Sequence, residues 1–362
     1  MIIVISITLV FIVLRFTVTL FNFISNPKIT RVNRRYDDPV SILIPVRNEE
    51  HTILKLLDSI QTQDYGRYEI IIYDDQSTDQ TLKICAEYAR QHPRVSIIRG
   101  EKLPGSWLGK NYACCQLAKK ATGKYLLFLD ADVIIKNGLI NSAVHRMHIN
   151  QLGLLSLFPN QLLQSFGEQA TVPLLNFLLL NLFPLRLVFI LKNAAVAVAC
   201  GQFMLFDAAT YHHYQWHEKA KDKVVEDTAI MRQVKTAGYN GEILLGNGMV
   251  FCRMYQGYSS AIKGLSKKAL PVFGYSILAL LVYILFLTGG PMIVMMTLNF
   301  DLIFLMFGLI LLSRIMTSLA SGQNAVANVL LHPVQMANMA VIAFLSIQQY
   351  LTGMNVWKGR KI

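Results

Sequence analysis

In the stretch Leu126-Leu-Phe-Leu-Asp130-Ala-Asp132-Val133, four apolar residues directly precede two carboxylates that are one residue apart. The apolar run predicts a buried strand, so that Asp130 and Asp132 lie where this strand leaves the core. Carboxylates at positions i and i+2 point the same way, which suits an Mg²⁺ or Mn²⁺ ion that also holds a diphosphate. Asp132 is therefore a candidate metal ligand. Asp-x-Asp pairs also occur by chance in loops, so the assignment of a metal site depends on the neighbouring motifs.

Strands and helices alternate on the amino-terminal side of this stretch. The alternation predicts an α/β domain with a mostly parallel sheet, in which ligands bind at the carboxyl ends of the strands. The predicted strands are Val40–Pro45, Tyr68–Tyr73, Val95–Arg99 and Tyr125–Leu129, and the predicted helices are His51–Gln61, Asp79–His92 and Leu108–Ala121.

Two further polar clusters follow predicted strands. The first is Pro45-Val-Arg-Asn-Glu49-Glu50, and the second runs from Asp74 to Asp79. Within the second, Ser77 or Asp79 is suited to cap the next helix. Asp75 is different because it lies at the strand end, where a carboxylate can accept the imide N–H of a uracil ring.

The composition indicates a membrane-bound protein. The chain has 34 Lys and Arg against 22 Asp and Glu, a formal charge of +12, and yet 53% of its residues are hydrophobic. This excess charge suits an anionic membrane surface and a phosphate-bearing substrate, and no nucleic-acid-binding signature accompanies it.

The five cysteines show no C-x-x-C spacing and predict reduced thiols. The segment Tyr211–His217 holds three histidines, but no carboxylate completes a metal set, so we predict a polar surface loop.

The two ends of the chain predict membrane segments. Residues 1–25 are almost wholly apolar apart from Arg15 and predict an uncleaved anchor. The basic residues that follow place a central domain, residues 38–268, on the cytoplasmic side of the cell membrane. Residues 270–355 predict a multi-pass region with a hairpin that turns at Thr288-Gly-Gly290. The last segment, near Val334–Leu351, either spans the bilayer or lies shallow.

Two elements of the central domain predict contact with lipid. The segment near residues 172–191 is rich in Leu and Phe but carries prolines and Arg186, which predicts a helix in the membrane interface; a core helix is the alternative. A later helix carries Lys263, Lys267 and Lys268 and suits anionic headgroups. Membrane lipids are thus predicted partners.

Four motifs together resemble the family 2 inverting glycosyltransferases, which have a GT-A fold. These motifs are Pro45-x-x-Asn-Glu49-Glu, Asp74-Asp75-x-Ser-Thr-Asp79, Asp130-x-Asp132 and Glu226-Asp227. The resemblance implies a GT-A domain between amino- and carboxyl-terminal transmembrane helices. It also implies that Asp227 is the catalytic base, that Pro45, Glu49, Asp75, Lys110 and Asp130 bind the nucleotide sugar, and that Glu226 and Gln202 face the sugar or acceptor.

A narrower resemblance concerns membrane-bound members that act on hydrophobic acceptors, including the carotenoid (diaponeurosporenoate) and hopanoid-associated glycosyltransferases. It is carried by Pro104–Lys110, by the Arg253-Met-Tyr255 stretch and by Trp357-Lys-Gly-Arg360. It places Arg253 and Tyr255 on the acceptor side. Lys110 follows two glycines that allow close backbone approach, so its ammonium is suited to a diphosphate. The sequence departs from the family at Gln76, where glycine is usual, and lacks the Gln-x-x-Arg-Trp of processive synthases.

These observations predict an enzyme that transfers one sugar, with a divalent Mg or Mn cofactor, from a nucleotide sugar such as a UDP-hexose to a hydrophobic lipid acceptor such as a carotenoid acid. A polyprenyl-phosphate or glycolipid glycosyltransferase is the alternative within this class. A non-catalytic lipid-binding membrane protein is the alternative from another class. It is disfavoured because every chemistry-bearing carboxylate is present.

Overall fold

A computed structural model describes residues 2–353, 356–357 and 360–361 of the chain. The chain divides into two compact units. The sheet unit comprises Pro27–Asn160 and Leu185–Cys252, and the helical unit comprises Met1–Asn26, Gln161–Pro184 and Arg253–Ile362. Residues 161–184 and 253–268, which the sequence analysis assigns to the central domain, thus belong to the helical unit.

The sheet unit is built on seven strands in the order β3-β2-β1-β4-β8-β6-β9. The strands β1 to β4 are mutually parallel, as predicted, whereas β8 runs antiparallel to both of its neighbours. A short antiparallel pair, β5 with β10, lies beside this sheet. The strands are β1 Val40–Val46, β2 Tyr68–Asp74, β3 Val95–Arg99, β4 Tyr125–Leu129, β5 Val133–Ile135, β6 Leu152–Phe158, β7 Asn160–Gln161, β8 Phe203–Asp207, β9 Asn240–Leu245, β10 Val250–Cys252, β11 Val356–Trp357 and β12 Arg360–Lys361.

Burial explains why the predicted strands and helices form. All five residues of β4 are buried, which is the pattern of a strand covered on both faces. The first helix of the sheet unit buries its apolar residues at the i, i+3, i+4, i+7 spacing of a single helix face, namely Ile53, Leu56, Leu57 and Ile60. The α/β prediction with a mostly parallel sheet is confirmed.

Seventeen α-helices are described within these residues. They are α1 Ile2–Ser25, α2 Ile53–Gln61, α3 Thr81–Gln91, α4 Gly109–Lys120, α5 Leu139–Asn150, α6 Phe166–Gln169, α7 Leu174–Leu182, α8 Leu185–Ile190, α9 Ala208–Tyr214, α10 Trp216–Lys219, α11 Glu226–Thr236, α12 Tyr258–Val272, α13 Ile277–Ile284, α14 Gly290–Met295, α15 Phe300–Ser321, α16 Ala325–Leu330 and α17 His332–Thr352. A 3₁₀ turn spans Ala194–Val196 and a π-helical turn spans Leu285–Gly289.

Three helical segments are long and apolar enough to cross a membrane: Ile2–Ser25, Ile277–Met295 and Phe300–Ser321. The first packs against α7, α14 and α15 within the helical unit. Predicted membrane helices at both ends of the chain are therefore present. The final helix, α17, is long enough at 21 residues but is not among these apolar segments. In the terminal motif, Lys358 and Gly359 lie outside the described residues.

The predicted turn at Thr288-Gly-Gly290 is wrong. These residues continue one helix that runs from Ile277 to Met295, and the chain turns only before Asn299, which caps α15 by accepting the N–H of Leu302 at 3.2 Å. Gly290 has a packing role instead, because a Cβ there would lie 2.7 Å from Cγ2 of Thr8. A small residue at this point lets two helices approach closely.

The apolar segment 172–191 is not one helix. The chain breaks at Phe183-Pro184, so that α7 belongs to the helical unit and α8 to the sheet unit. Leu174 and Phe177 of α7 join an apolar cluster with Ile262 and Met339. The location of this segment in the membrane interface stays a prediction.

Candidate active site

The reversed direction of β8 assembles the site. Because β8 runs antiparallel to β4, its amino end meets the carboxyl end of β4, where Leu129 pairs with Phe203. One step beyond this pair, the N–H of Asp130 donates to the carbonyl of Gln202 at 3.2 Å. Residues 199–202 form the turn that leads into β8 and lie at the same edge as the Asp-x-Asp pair.

Lys110, in the first turn of α4, joins three parts of the site. Its Nζ lies 2.8 Å from Oδ1 of Asp130 and 3.1 Å from Oε1 of Glu226, and it donates to the carbonyl of Gly201 at 3.4 Å. Burial alone would lower the pKa of Lys110, but Asp130 and Glu226 raise it well above its ordinary value. The lysine is therefore a fixed positive charge among carboxylates.

Asp227 accepts hydrogen bonds from two main-chain donors. It lies in the first turn of α11, where its Oδ2 accepts the N–H of Gly201 at 2.9 Å and its Oδ1 accepts the N–H of Thr228 at 2.7 Å. The helix amino end favours the charged carboxylate. Of the Glu226-Asp227 pair, Glu226 thus forms the ion pair with Lys110 and Asp227 keeps a fixed orientation.

Asp132 has the environment of a carboxylate that needs a cation. Its buried Oδ1 has no hydrogen-bond partner among the described residues. Burial and the charge of Asp130 raise the pKa of Asp132 to about 6, while the thiol of Cys252 donates to it and lowers the pKa in part. The donor set of Asp132 and Asp130 fits Mg²⁺ or Mn²⁺, which prefer oxygen ligands. Within the described part of the chain, no group of three or more His, Cys, Asp or Glu side chains suited to a metal is present.

Gln202 supports Asp132 through Cys252. Its Nε2 donates to Sγ of Cys252, which the β5–β10 pairing sets opposite Val133. Burial is the main cause that raises the pKa of the Cys252 thiol well above its ordinary value, and the charge of Asp132 is the second. Gln202 is 4% exposed, so in this structure it positions the metal side of the site. All five cysteines are buried free thiols, as predicted.

The two polar clusters at β1 and β2 form one connected loop structure. Asp75 is buried, and its Oδ2 lies 4.0 Å from Nη1 of Arg47. Glu49, predicted to bind the nucleotide sugar, accepts the hydroxyl of Thr52 at 2.8 Å next to the start of α2. Pro45 is within β1. The structure places these three predicted residues at the carboxyl ends of β1 and β2.

The helix caps in this loop structure differ in part from the prediction. Asp79 accepts the N–H of Thr81 at 3.0 Å at the start of α3, as expected of a cap. Ser77 instead accepts the N–H of Asn48 at 3.1 Å. Gln76 has a φ of +57°, in the left-handed region that favours glycine. The departure from the family pattern at this position therefore carries a conformational cost.

Asn111 is a positioning residue that the sequence analysis missed. It is 1% exposed, and its Nδ2 donates to the carbonyls of Ala220, Lys221 and Lys223 at 2.7, 3.3 and 3.2 Å. It thereby fixes the loop that leads to α11. Its position directly after Lys110 is the only sequence signal that points to it.

Gly201 is the second residue that was missed. Its N–H holds Asp227, its carbonyl accepts from Lys110, and a Cβ there would lie 3.1 Å from both Nζ of Lys110 and Oε1 of Glu226. A side chain at this position would separate the ion pair. A glycine is thus required here because Lys110 and Glu226 approach its Cα closely, and not because of its φ angle.

Arg253 and Tyr255 belong to the helical unit. Arg253 donates through Nη2 to Oε1 of the fully buried Glu168 at 2.8 Å. The ring of Tyr255 packs against Gly264, which leaves no room there for a Cβ. In this structure both residues therefore have packing or ion-pairing roles within their unit.

The predicted surface loop at Tyr211–His217 is wrong. These residues form α9 and the start of α10, and Trp216 and His217 are 1% and 2% exposed. Nδ1 of His217 lies 2.7 Å from the hydroxyl of Tyr211, and burial lowers the pKa of His217 to about 3. The aromatic residues form a small core beside α4 rather than a metal site.

Comparison with known proteins agrees with this geometry. The profile of the glycosyl transferase family 2 matches residues 41–209. The 4,4'-diaponeurosporenoate glycosyltransferase of Staphylococcus haemolyticus (strain JCSC1435) is 28% identical over 233 residues, which cover 63% of this chain and 60% of that protein. The protein of the same name from Staphylococcus aureus (strain USA300) is 27% identical over the same length. The match therefore spans about three-fifths of these relatives.

A solved structure shares the fold. A mannosyltransferase from Pyrobaculum calidifontis, in complex with GDP-Man and Mn²⁺, superposes with a TM-score of 0.55. The superposition covers 96% of this chain and 99% of that one, at 15% sequence identity. This likeness shows the GT-A type of fold.

Proposed function

Residues 41–209 match the profile of the glycosyl transferase family 2, and from this premise we propose that the chain transfers a single sugar from a nucleotide sugar to a lipid-soluble acceptor with inversion. One observation carries the proposal. Lys110 binds Asp130 and Glu226 and donates to the carbonyl of Gly201, while Asp227 accepts the N–H of the same Gly201. The site thus brings to one turn a cation suited to the diphosphate and an oriented carboxylate suited to act as a base.

In the proposed reaction, the acceptor oxygen attacks the anomeric carbon and the bond from that carbon to the diphosphate breaks. Where the attacking oxygen belongs to a hydroxyl or to a protonated carboxyl group, its proton passes to Asp227, whose orientation the N–H groups of Gly201 and Thr228 fix. Lys110 stabilises the diphosphate as negative charge develops on it. Asp75 accepts a hydrogen bond from the nucleotide's ring, and we propose that the donor is the imide N–H of uracil.

A divalent cation fits the partnerless Oδ1 of Asp132, with Asp130 as its neighbour. When bound, Mg²⁺ or Mn²⁺ would offset the charge of the diphosphate. Asp132 itself excludes a second anion from the site until a cation is bound, because like charges close together are costly.

The acceptor is proposed to be hydrophobic, and a carotenoid acid is the compound class that the names of the two relatives support. Three segments suited to crossing a membrane provide the apolar surroundings that such an acceptor needs. We propose a multi-pass protein whose catalytic domain is cytoplasmic, as the basic residues after α1 favour.

The test measures turnover and donor binding separately in the full chain in lipid nanodiscs. We expect Asp227→Asn to lower turnover by about 10²–10⁴-fold while UDP binding is retained. Asp64→Asn, at an exposed aspartate, is the matched control. Loss of UDP binding together with turnover would show that Asp227 is structural, and full turnover in Asp227→Asn would refute the proposal.

A further inference from the structure

Two arginines inside the helical unit have no acidic partner among the described residues. Arg314 of α15 is 1% exposed, and its Nε donates weakly to the carbonyl of Asn328 at 3.4 Å. Both of its terminal nitrogens lack an acceptor within the same part of the chain. Arg15 of α1 donates through Nη2 to Oδ1 of Asn181 at 3.2 Å. Both of these hydrogen bonds go to neutral amide oxygens, so neither neutralises a guanidinium charge.

Both guanidinium groups converge on one aromatic ring. Cζ of Arg15 lies 4.8 Å and Cζ of Arg314 lies 4.5 Å from the centroid of Phe177. A ring face stabilises a cation by about 0.5–2 kcal/mol, which is small against the cost of burying a guanidinium group in a low-dielectric region. Two like charges beside a single ring also repel each other. The cluster therefore needs a negative charge that its neighbours among the described residues do not supply.

The acidic residues of this unit cannot supply that charge. Its sequence contains two, Glu168 and Asp301. Glu168 is already paired with Arg253. Asp301 is exposed in the first turn of α15, thirteen residues before Arg314, which is about 20 Å along a helix.

We propose that Arg15 and Arg314 form a binding site for the carboxylate or phosphate head of a membrane amphiphile. Both arginines are in segments suited to crossing a membrane, so the ligand must carry its anion on an apolar chain. Arg is well suited to this task because its fork of N–H donors matches an oxyanion. Where the amphiphile is the acceptor, this inference rests on the proposed function and assigns the two arginines to its anionic head.

The test is binding of retinoic acid, an apolar isoprenoid carboxylate, to the full chain in phosphatidylcholine nanodiscs. No nucleotide sugar is present, so failure of the proposed reaction does not affect the result. We expect saturable binding of retinoate that Arg314→Gln weakens about tenfold or more and that Arg314→Lys restores in part. Retinol, which lacks the charge, should bind equally to wild type and Arg314→Gln. Lys55→Gln, at an exposed cation of the sheet unit, is the control.

A second set of nanodiscs distinguishes the two sources of the anion. If phosphatidic acid in the disc stabilises wild type but not Arg314→Gln and blocks retinoate binding, the site belongs to a phospholipid head. If retinoate binds unimpeded by phosphatidic acid, the site belongs to an acceptor-like carboxylate. The proposal is overturned if neither anion distinguishes wild type from Arg314→Gln, or if the variant fails to fold and wild type binds retinoate no better than retinol.

Discussion

Replacing Glu168 by glutamine tests the role of the ion pair in the helical unit. The Glu168 side chain is fully buried, and both of its oxygens accept hydrogen bonds. Oε1 accepts from Nη2 of Arg253 at 2.8 Å and from the N–H of Gly257 at 2.9 Å, while Oε2 accepts from the N–H of Gln164 at 2.7 Å. A glutamine has one acceptor oxygen, so its NH₂ group must face one of these donors.

The expected loss follows from the pKa of Glu168. Burial would raise it, but the hydrogen bonds from Arg253 and from the main chain lower it to about 2, from an ordinary value of 4.5. This difference corresponds to about 3 kcal/mol of folding free energy at pH 7, within the range for breaking a buried ion pair. Because the folded pKa is lowered, the contribution is full well above pH 4.5 and falls to about half by pH 3.

The assay is SDS-induced unfolding in mixed micelles at pH 7 and pH 3, with wild type and Glu168→Gln compared at each. We expect a gap of about 3 kcal/mol at pH 7 and about half of that at pH 3. Glu87→Gln, at an exposed residue of α3, should change stability by less than about 0.5 kcal/mol. The reasoning is refuted if the gap at pH 7 is below about 1 kcal/mol or does not shrink at pH 3.

Four further predictions concern the sheet unit. Asn111→Ala should destabilise the chain by about 1–3 kcal/mol and lower kcat more than it raises KM, because the loop before α11 loses its anchor; an unchanged kcat contradicts this. Gly201→Ala should lower turnover about tenfold or more, since its Cβ would lie 3.1 Å from each member of the Lys110 ion pair, and wild-type kinetics would exclude the close approach. The pKa of Asp132 is raised to about 6, so its charge is present only above that pH; the rise in Tm caused by Mn²⁺ should therefore grow between pH 5 and pH 7 and be absent in Asp132→Asn. Gln76→Gly should leave stability unchanged or raise it by about 1 kcal/mol, because it relieves a φ of +57°, and a clear loss in urea unfolding would argue that the side chain holds the loop.

The first half of the sheet was predictable because its signals are local. Apolar runs that end in polar clusters mark β1, β2 and β4, and their observed bounds differ from the predicted ones by one residue at most. The contact of Lys110 with Glu226 was not predictable from spacing. It depends on β8 entering the sheet antiparallel to β4, and sequence pattern does not determine strand direction after a long excursion.

The two wrong predictions, the turn at residues 288–290 and the surface loop at residues 211–217, have the same physical cause. Glycines at 289 and 290 predict a turn when read locally, but the close approach of α1 to Gly290 keeps them in a helix. Histidine and tyrosine between 211 and 217 look polar by composition, yet the rings of Tyr211 and His217 pack against each other and His217 is neutral when buried. In both places tertiary packing decides over local propensity.

Gly201 contributes to the site through main-chain atoms alone, and this limits what mutagenesis can reveal. Its amide and its carbonyl are retained in every substitution, so an alanine scan of the site does not remove either contact. Only an amide-to-ester replacement, introduced by chemical ligation or by an α-hydroxy acid, deletes the donor to Asp227 while leaving every side chain in place. The contribution of the peptide backbone to the proposed transfer reaction is measurable in this protein only by that route.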